Sequence, residues 1–217
     1  MKTNQEYKDA ALASLKGNWA PAVVATIVFF AIVLTVSGGE SLSQFLPVSP
    51  GLLAGIAGGS MVLMFLVTFP VEAGYYNACR ALYENGDNKL TRNIFEFGFN
   101  NYLHIVWGYF LMMVLVMLWT LLFIIPGIVM GFAYAMTPFI LVEQPEMKAI
   151  DALRKSREMM KGHKFDLFYL MLSFIGWIFL GLLTLGIGFL WLLPYMQTTI
   201  AAFYNDLKVE AETGTVI

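Results

Sequence analysis

Long apolar stretches with at most one charge each, near the length that crosses a bilayer, constrain this chain more than any other feature. They fall at about 19–37, 52–75, 103–125 and 165–183, close to the roughly 20 residues that a helix needs to traverse the hydrocarbon core. Two shorter ones, at about 128–142 and 187–204, follow the turn punctuation Ile125-Pro126-Gly127 and Thr184-Leu185-Gly186-Ile187-Gly188. Open backbone cannot face lipid, so alternating turns leave an even number of helices. The predicted fold class is all-α: a polytopic transmembrane helical bundle, one membrane domain over 1–217, with six spans as three hairpins and cytoplasmic interfacial amphipathic helices at about 4–16 and 146–161.

Composition excludes a water-soluble fold. Apolar residues make up 59% of the 217, charged residues only 13%, and the mean hydropathy is +0.69, whereas soluble domains carry about 25% charged residues. The net charge of -2 hides segregation into a few clusters, a layout that suits membrane lipid as partner and speaks against nucleic acid. Cys79 is the only cysteine, so an intramolecular disulfide or a Cys-rich metal site is excluded, and a buried or interfacial thiol is expected. The first apolar stretch, 20–36, exceeds the usual core of a cleaved secretory signal, so it is expected to stay attached as a membrane helix.

Orientation follows from the basic residues. All 13 Lys and Arg fall on one side of the predicted spans: Lys2, Lys8, Lys16, Arg80, Lys89, Arg92, Lys148, Arg154, Lys155, Arg157, Lys161, Lys164 and Lys208. The other side has the two tight turns and a loop over 37–51 whose only charge is Glu40. By the positive-inside rule both termini are expected in the cytoplasm.

A threefold pattern runs through the chain. Leu15-Lys16-Gly17-Asn18-Trp19 and Met160-Lys161-Gly162-His163-Lys164 each end an amphipathic segment just before a span, as a left-handed glycine cap with a nearby cation would. The segment from Ile94 to Tyr102 is a weaker third copy. Each returning span carries a proline, Pro70, Pro138 or Pro194, with polar neighbours: Thr68 and Glu72; Thr137 and Glu143; Tyr195, Gln197, Thr198 and Thr199. Three similarly oriented units about an axis along the membrane normal are expected; membrane helices in general also share Pro, Gly and Thr. In the segment over 146–161, Pro145 suits the first turn, Asp151 lies four residues before Lys155, and Met147, Ile150, Leu153 and Met160 form an apolar stripe. It is expected on the inner leaflet, its basic face either meeting anionic headgroups or simply solvated.

Gly51, Gly55 and Gly59 recur every four residues, a helix-packing face for an intramolecular contact, the favoured reading, or for a homodimer. Gly127 and Gly131 are a weaker pair. Glu72 is a charge in the last turns of an apolar span, which is costly and often functional. With Asn77, Arg80, Tyr195 and Thr198 it is the candidate for a polar cavity open to the cytoplasm; alternatively it snorkels to the headgroups or pairs with Arg80 as an anchor. No nucleophile with a base, metal-ligand cluster, phosphate loop or dinucleotide fingerprint is found, so no catalytic residue, cofactor or metal is assigned. His104 and His163 read as interfacial residues at span boundaries.

The C-terminal third carries a recognisable run: Lys161-Gly162-His163-Lys164, Leu172 to Trp177, Thr184 to Gly188, Trp191-Leu192-Leu193-Pro194-Tyr195 and Phe203-Tyr204, with Ile125 to Ile128 and Thr137-Pro138-Phe139 upstream. This resembles a bacterial integral membrane family catalogued as domain of unknown function 975. The resemblance implies a bacterial cytoplasmic-membrane location and the six-span plan, and carries over no activity. The leading expectation is a non-enzymatic accessory or envelope-organising protein acting through a membrane protein partner or a homo-oligomer. The alternative is a small permease or lipid-handling protein, and an intramembrane enzyme using Glu72 or Glu143 ranks third.

Overall fold

The computed structural model describes residues 1–43 and 49–213. Its helices are α1 (Asn4–Leu15), α2 (Trp19–Ser43), α3 (Pro50–Leu63), a π-helical turn (Met64–Thr68), α4 (Phe69–Asn85), α5 (Leu90–Phe99), α6 (Tyr102–Leu122), α7 (Ile124–Ala133), α8 (Thr137–Glu143), α9 (Ala149–Met159), α10 (Lys164–Leu172), α11 (Ile175–Leu183) and α12 (Phe189–Thr213). No strand occurs among the described residues.

Four helical stretches are long and apolar enough to cross a membrane: Trp19–Val36, Tyr102–Leu122, Ile124–Glu143 and Lys164–Leu183. They coincide with the predicted spans 19–37, 103–125, 128–142 and 165–183. The other two predicted spans, 52–75 and 187–204, lie on α3 to α4 and on α12, helical over 52–75 and from Phe189 onward. Large apolar side chains point outward, with Leu121 82%, Leu183 79% and Leu185 94% exposed, an arrangement suited to lipid rather than water as solvent.

Local chemistry explains most helix ends. Thr3 closes a capping box with Glu6 at the start of α1. Gly17 and Gly162 take φ of +83° and +94°, the left-handed geometry expected after α1 and α9. The third copy departs from this: Asn100, after α5, stays right-handed. Ile125-Pro126-Gly127 is not a turn but part of the first turn of α7, where a proline forfeits no helical hydrogen bond; the break falls one step earlier, at extended Phe123. The turn over 184–188 is present, with Leu185 and Gly186 both left-handed. Helix α2 runs on to Ser43, so the loop predicted over 37–51 starts later, and its residues 44–48 lie outside the described ones.

Each short helix packs antiparallel on another helix. α5 lies on α4 with backbones touching, because a Cβ on Gly74 would strike the Ile94 carbonyl and one on Gly98 the Pro70 carbonyl. α9 folds back over the joint between α7 and α8, where Ser156 Oγ donates to the Ala133 carbonyl (2.9 Å) and accepts from the Met136 N–H (3.2 Å). α1 lies along α12: Lys2 and Tyr7 meet Asp206, Tyr7 packs edge-on against Phe203, and Leu12 and Trp19 border Tyr195 and Trp191. Lys8 on α1 is buried, donating to the Ser173 carbonyl where α10 breaks from α11, with its ammonium over the Phe174 ring.

Details of α9 differ from expectation for this reason. Pro145 lies in the turn before the helix, Asp151 pairs with Arg154, and Lys155 reaches Gln144. The buried face is Ala149, Ala152, Leu153, Ser156 and Met159, while Ile150 is exposed. An amphipathic pattern records that one face is covered, not whether lipid or another helix covers it.

The prolines release carbonyls that other groups take up. Pro70 follows the π-helical turn, and the Leu66 carbonyl four residues before it accepts from the Tyr102 hydroxyl (2.8 Å). Pro138 opens α8, and Pro194 lies inside α12. The buried core among the described residues forms three clusters, one around Phe139, Met160, Phe203 and Tyr204, another around Leu15, Tyr75, Cys79 and Ile94, and a smaller one of Met130, Ala133, Tyr134 and Leu153.

Candidate functional site

Two polar constellations lie among α4, α8 and α12. The deeper one surrounds Glu72 in the first turn of α4. Its carboxylate accepts from the Tyr76 hydroxyl (2.6 Å), one helical turn on, and it forms no ion pair among the described residues. Glu72 lines a cavity of about 350 Å³ with Tyr76, Tyr109 of α6, Phe132 of α7, Phe139 of α8, Met171 of α10 and Gln197 of α12. Tyr109 is 3% exposed, and its hydroxyl has no hydrogen-bond partner. The Gln197 amide lies beside the Tyr76 hydroxyl, with Oε1 unpartnered.

The second constellation ties the far ends of the same helices. Arg80 donates to Asn77 Oδ1 (3.0 Å) and to Glu84 (3.1 Å), and lies 3.5 Å from Glu143 of α8. Glu143 also accepts from Tyr204 and Lys208 of α12. Asn77 donates to the Pro138 carbonyl (3.1 Å), supplying a partner at the proline joint. Stacked rings connect the two sites: Tyr76 on Phe139 (6.2 Å) and Phe139 on Tyr204 (4.9 Å).

The five residues predicted to share one polar cavity therefore separate. Glu72 lines the cavity, while Asn77 and Arg80 belong to the ion network. Tyr195 packs edge-on against Phe174 and borders a different, tryptophan-lined groove. Thr198 is buried, its hydroxyl donating to the Pro194 carbonyl. A Glu72–Arg80 anchor pair does not form, because Arg80 is engaged by Glu84 and Glu143. Tyr76 and Tyr109 had no place in the candidate set, although the i, i+4 spacing of Glu72 and Tyr76 puts both on one helix face.

The glycine face behaves differently from the favoured expectation. Gly51, Gly55 and Gly59 are exposed, and a Cβ on any of them would meet nothing within 4 Å. No intramolecular packing occupies that face among the described residues. Gly127 is the tight one of the second pair, held against Thr120, while Gly131 faces open space.

Cys79 is buried, in the core between α4 and α12. His163 bridges Asp166 (3.0 Å) and Glu210 (3.1 Å). No group of three or more His, Cys, Asp or Glu able to hold a metal ion occurs among the described residues.

Among known families, residues 111–211 match the model of one described as "Protein of unknown function (DUF975)". The match runs from the middle of α6 to near the end of α12 and covers Phe132, Phe139, Glu143, Gln197, Tyr204 and Lys208 of the two constellations. No curated protein and no solved structure matches the chain.

Proposed function

We propose that this chain, whose residues 111–211 match the DUF975 family model, is a non-enzymatic bacterial cytoplasmic-membrane protein that binds a small molecule or lipid within the bilayer, as a permease or lipid-handling protein does. The observation that carries the reading is the Glu72 cavity. A carboxylate kept within an apolar span without a countercharge is costly, and such residues mark substrate pathways. A mostly apolar cavity with a few converging polar groups is the usual form of a small-molecule site.

In this reading the chain crosses the membrane six times, as three units with both termini in the cytoplasm. The packing of α5 on α4, α9 on α8 and α1 on α12 supports the units, since each of these three short helices meets a returning helix. The one-sided distribution of Lys and Arg supports the orientation. A C-terminal reporter active only outside the cell would overturn it.

The test is mass spectrometry of everything retained when wild type and Glu72→Gln are extracted gently in native lipid. A small molecule or specific lipid held by the wild type and lost from the variant is the expected result. A second reading, an accessory protein acting through a partner helix, is favoured by the open face of Gly51, Gly55 and Gly59. A stoichiometric protein partner retained equally by both forms, with no Glu72-dependent molecule, would select it.

A further inference from the structure

We infer that the Glu72 cavity selects an organic monocation with an aromatic or aliphatic body, an inference that rests on the binding role proposed above and names its ligand class. Among the described residues Glu72 carries the only carboxylate on the cavity wall, and no Lys or Arg lines it. The nearest guanidinium on the same helix, Arg80, is held by Asn77, Glu84 and Glu143, and Lys208 is held by Glu143. The protein therefore supplies the negative half of an ion pair and spends its own cations elsewhere.

The remaining polar atoms point the same way. Gln197 Oε1 is buried and unpartnered, and the Tyr109 oxygen is unpartnered on a residue 3% exposed. An ammonium group beside Glu72 would give both an N–H to accept. The walls are rings, with Tyr76, Phe132 and Phe139 among them, and aromatic faces attract cations most strongly where water is excluded. An anion would meet the Glu72 carboxylate and a neutral body would leave it without a countercharge, so charge decides selection. The volume of about 350 Å³ lies at the small end of ligand sites, which run from roughly 300 to 1,000 Å³.

The experiment is equilibrium dialysis of radiolabelled 2-phenylethylammonium, a primary ammonium with N–H groups to donate, against the full chain in phosphatidylcholine nanodiscs, with empty nanodiscs as the blank. Neutral N,N-dimethyl-2-phenylacetamide and anionic phenylacetate serve as competitors. Saturable uptake of one cation per chain is expected, displaced by neither competitor. Glu72→Gln is expected to weaken it at least about tenfold, the loss of one favourable charge contact. Gln197→Leu and Tyr109→Phe, each expected to weaken it about threefold or more, carry the test if Glu72→Gln does not stay monodisperse. Unchanged affinity in these variants, or no saturable uptake, overturns the cation assignment. Equal competition by the neutral amide also overturns it while leaving a binding cavity in place. The binding role itself falls only if native-lipid extraction finds no Glu72-dependent molecule.

Discussion

The Arg80 guanidinium lies 3.5 Å from the Glu143 carboxylate, joining α4 to α8 at the point where Tyr204 and Lys208 bring in α12. Both side chains are largely shielded, 11% and 18% exposed. Removing the carboxylate would leave Lys208 without its acid and Arg80 with Glu84 alone, which costs more than the intact pair contributes. Glu143→Ala is expected to destabilise the bundle by about 3 kcal/mol, read as a fall in the thermal unfolding midpoint in detergent. A midpoint unchanged from wild type would mean that the network does not hold the helices together.

Backbone contact between α4 and α5 makes two glycines indispensable. Gly74→Ala and Gly98→Ala each place a methyl group into a main-chain carbonyl that cannot rotate away. A loss of about 1–3 kcal/mol is expected for each. Gly176→Ala, facing open space in a helix, is the control and should be neutral or slightly stabilising. Equal midpoints for all three variants would contradict the packing.

Ser156 satisfies a donor and an acceptor at the joint between α7 and α8 with one hydroxyl. Ser156→Ala should cost about 1–3 kcal/mol, because the Met136 N–H loses its buried partner. Amide hydrogen exchange at Met136 is expected to accelerate in the variant, and unaltered protection there would refute the bridge.

The loop before α5 is expected to respond to acid. Asp87 accepts from the Asn93 side chain and from the Lys89 N–H (3.0 Å each), and these hydrogen bonds hold its carboxyl below the usual value of 3.8. The folded form thus favours the carboxylate. Its contribution is present in full above about pH 4 and fades as pH falls through the depressed value. The site is largely solvated, so the amount is about 1 kcal/mol or less. The stability gap between wild type and Asp87→Asn should narrow as pH drops from 6 to 3; a gap constant with pH would rule out the assignment.

The four apolar stretches were legible because apolar length with so little charge is a signal that little else produces. Their edges were less so: Pro126 reads equally as a turn residue and as a first-turn helix residue, and only the extended backbone of Phe123 separates the two. The short helices were visible as amphipathic segments, but the partners of Leu153 and Ser156 were not, since a lipid surface and a helical groove demand the same spacing. Glu72 stood out as an acid in apolar surroundings. Tyr109 did not, because a tyrosine near a span boundary has a routine interfacial role. Glu143 was visible as a polar neighbour of Pro138 and as a candidate acid, but not as the centre of an ion network, for its partners Tyr204 and Lys208 lie 61 and 65 residues away.

The seating of α1 on α12 has a consequence for biosynthesis. Helix α1 leaves the ribosome long before α12 exists, so the groove that will receive Tyr7 and Lys8 is absent while the intervening helices insert. During that interval Ala11 and Leu15 can already pack against α2 and α4, while the part of α1 that meets α12 stays uncovered. Docking of α1 on α12 is therefore a closing step, and a chain arrested before α12 leaves the Tyr7 hydroxyl without Asp206 and its ring without Phe203.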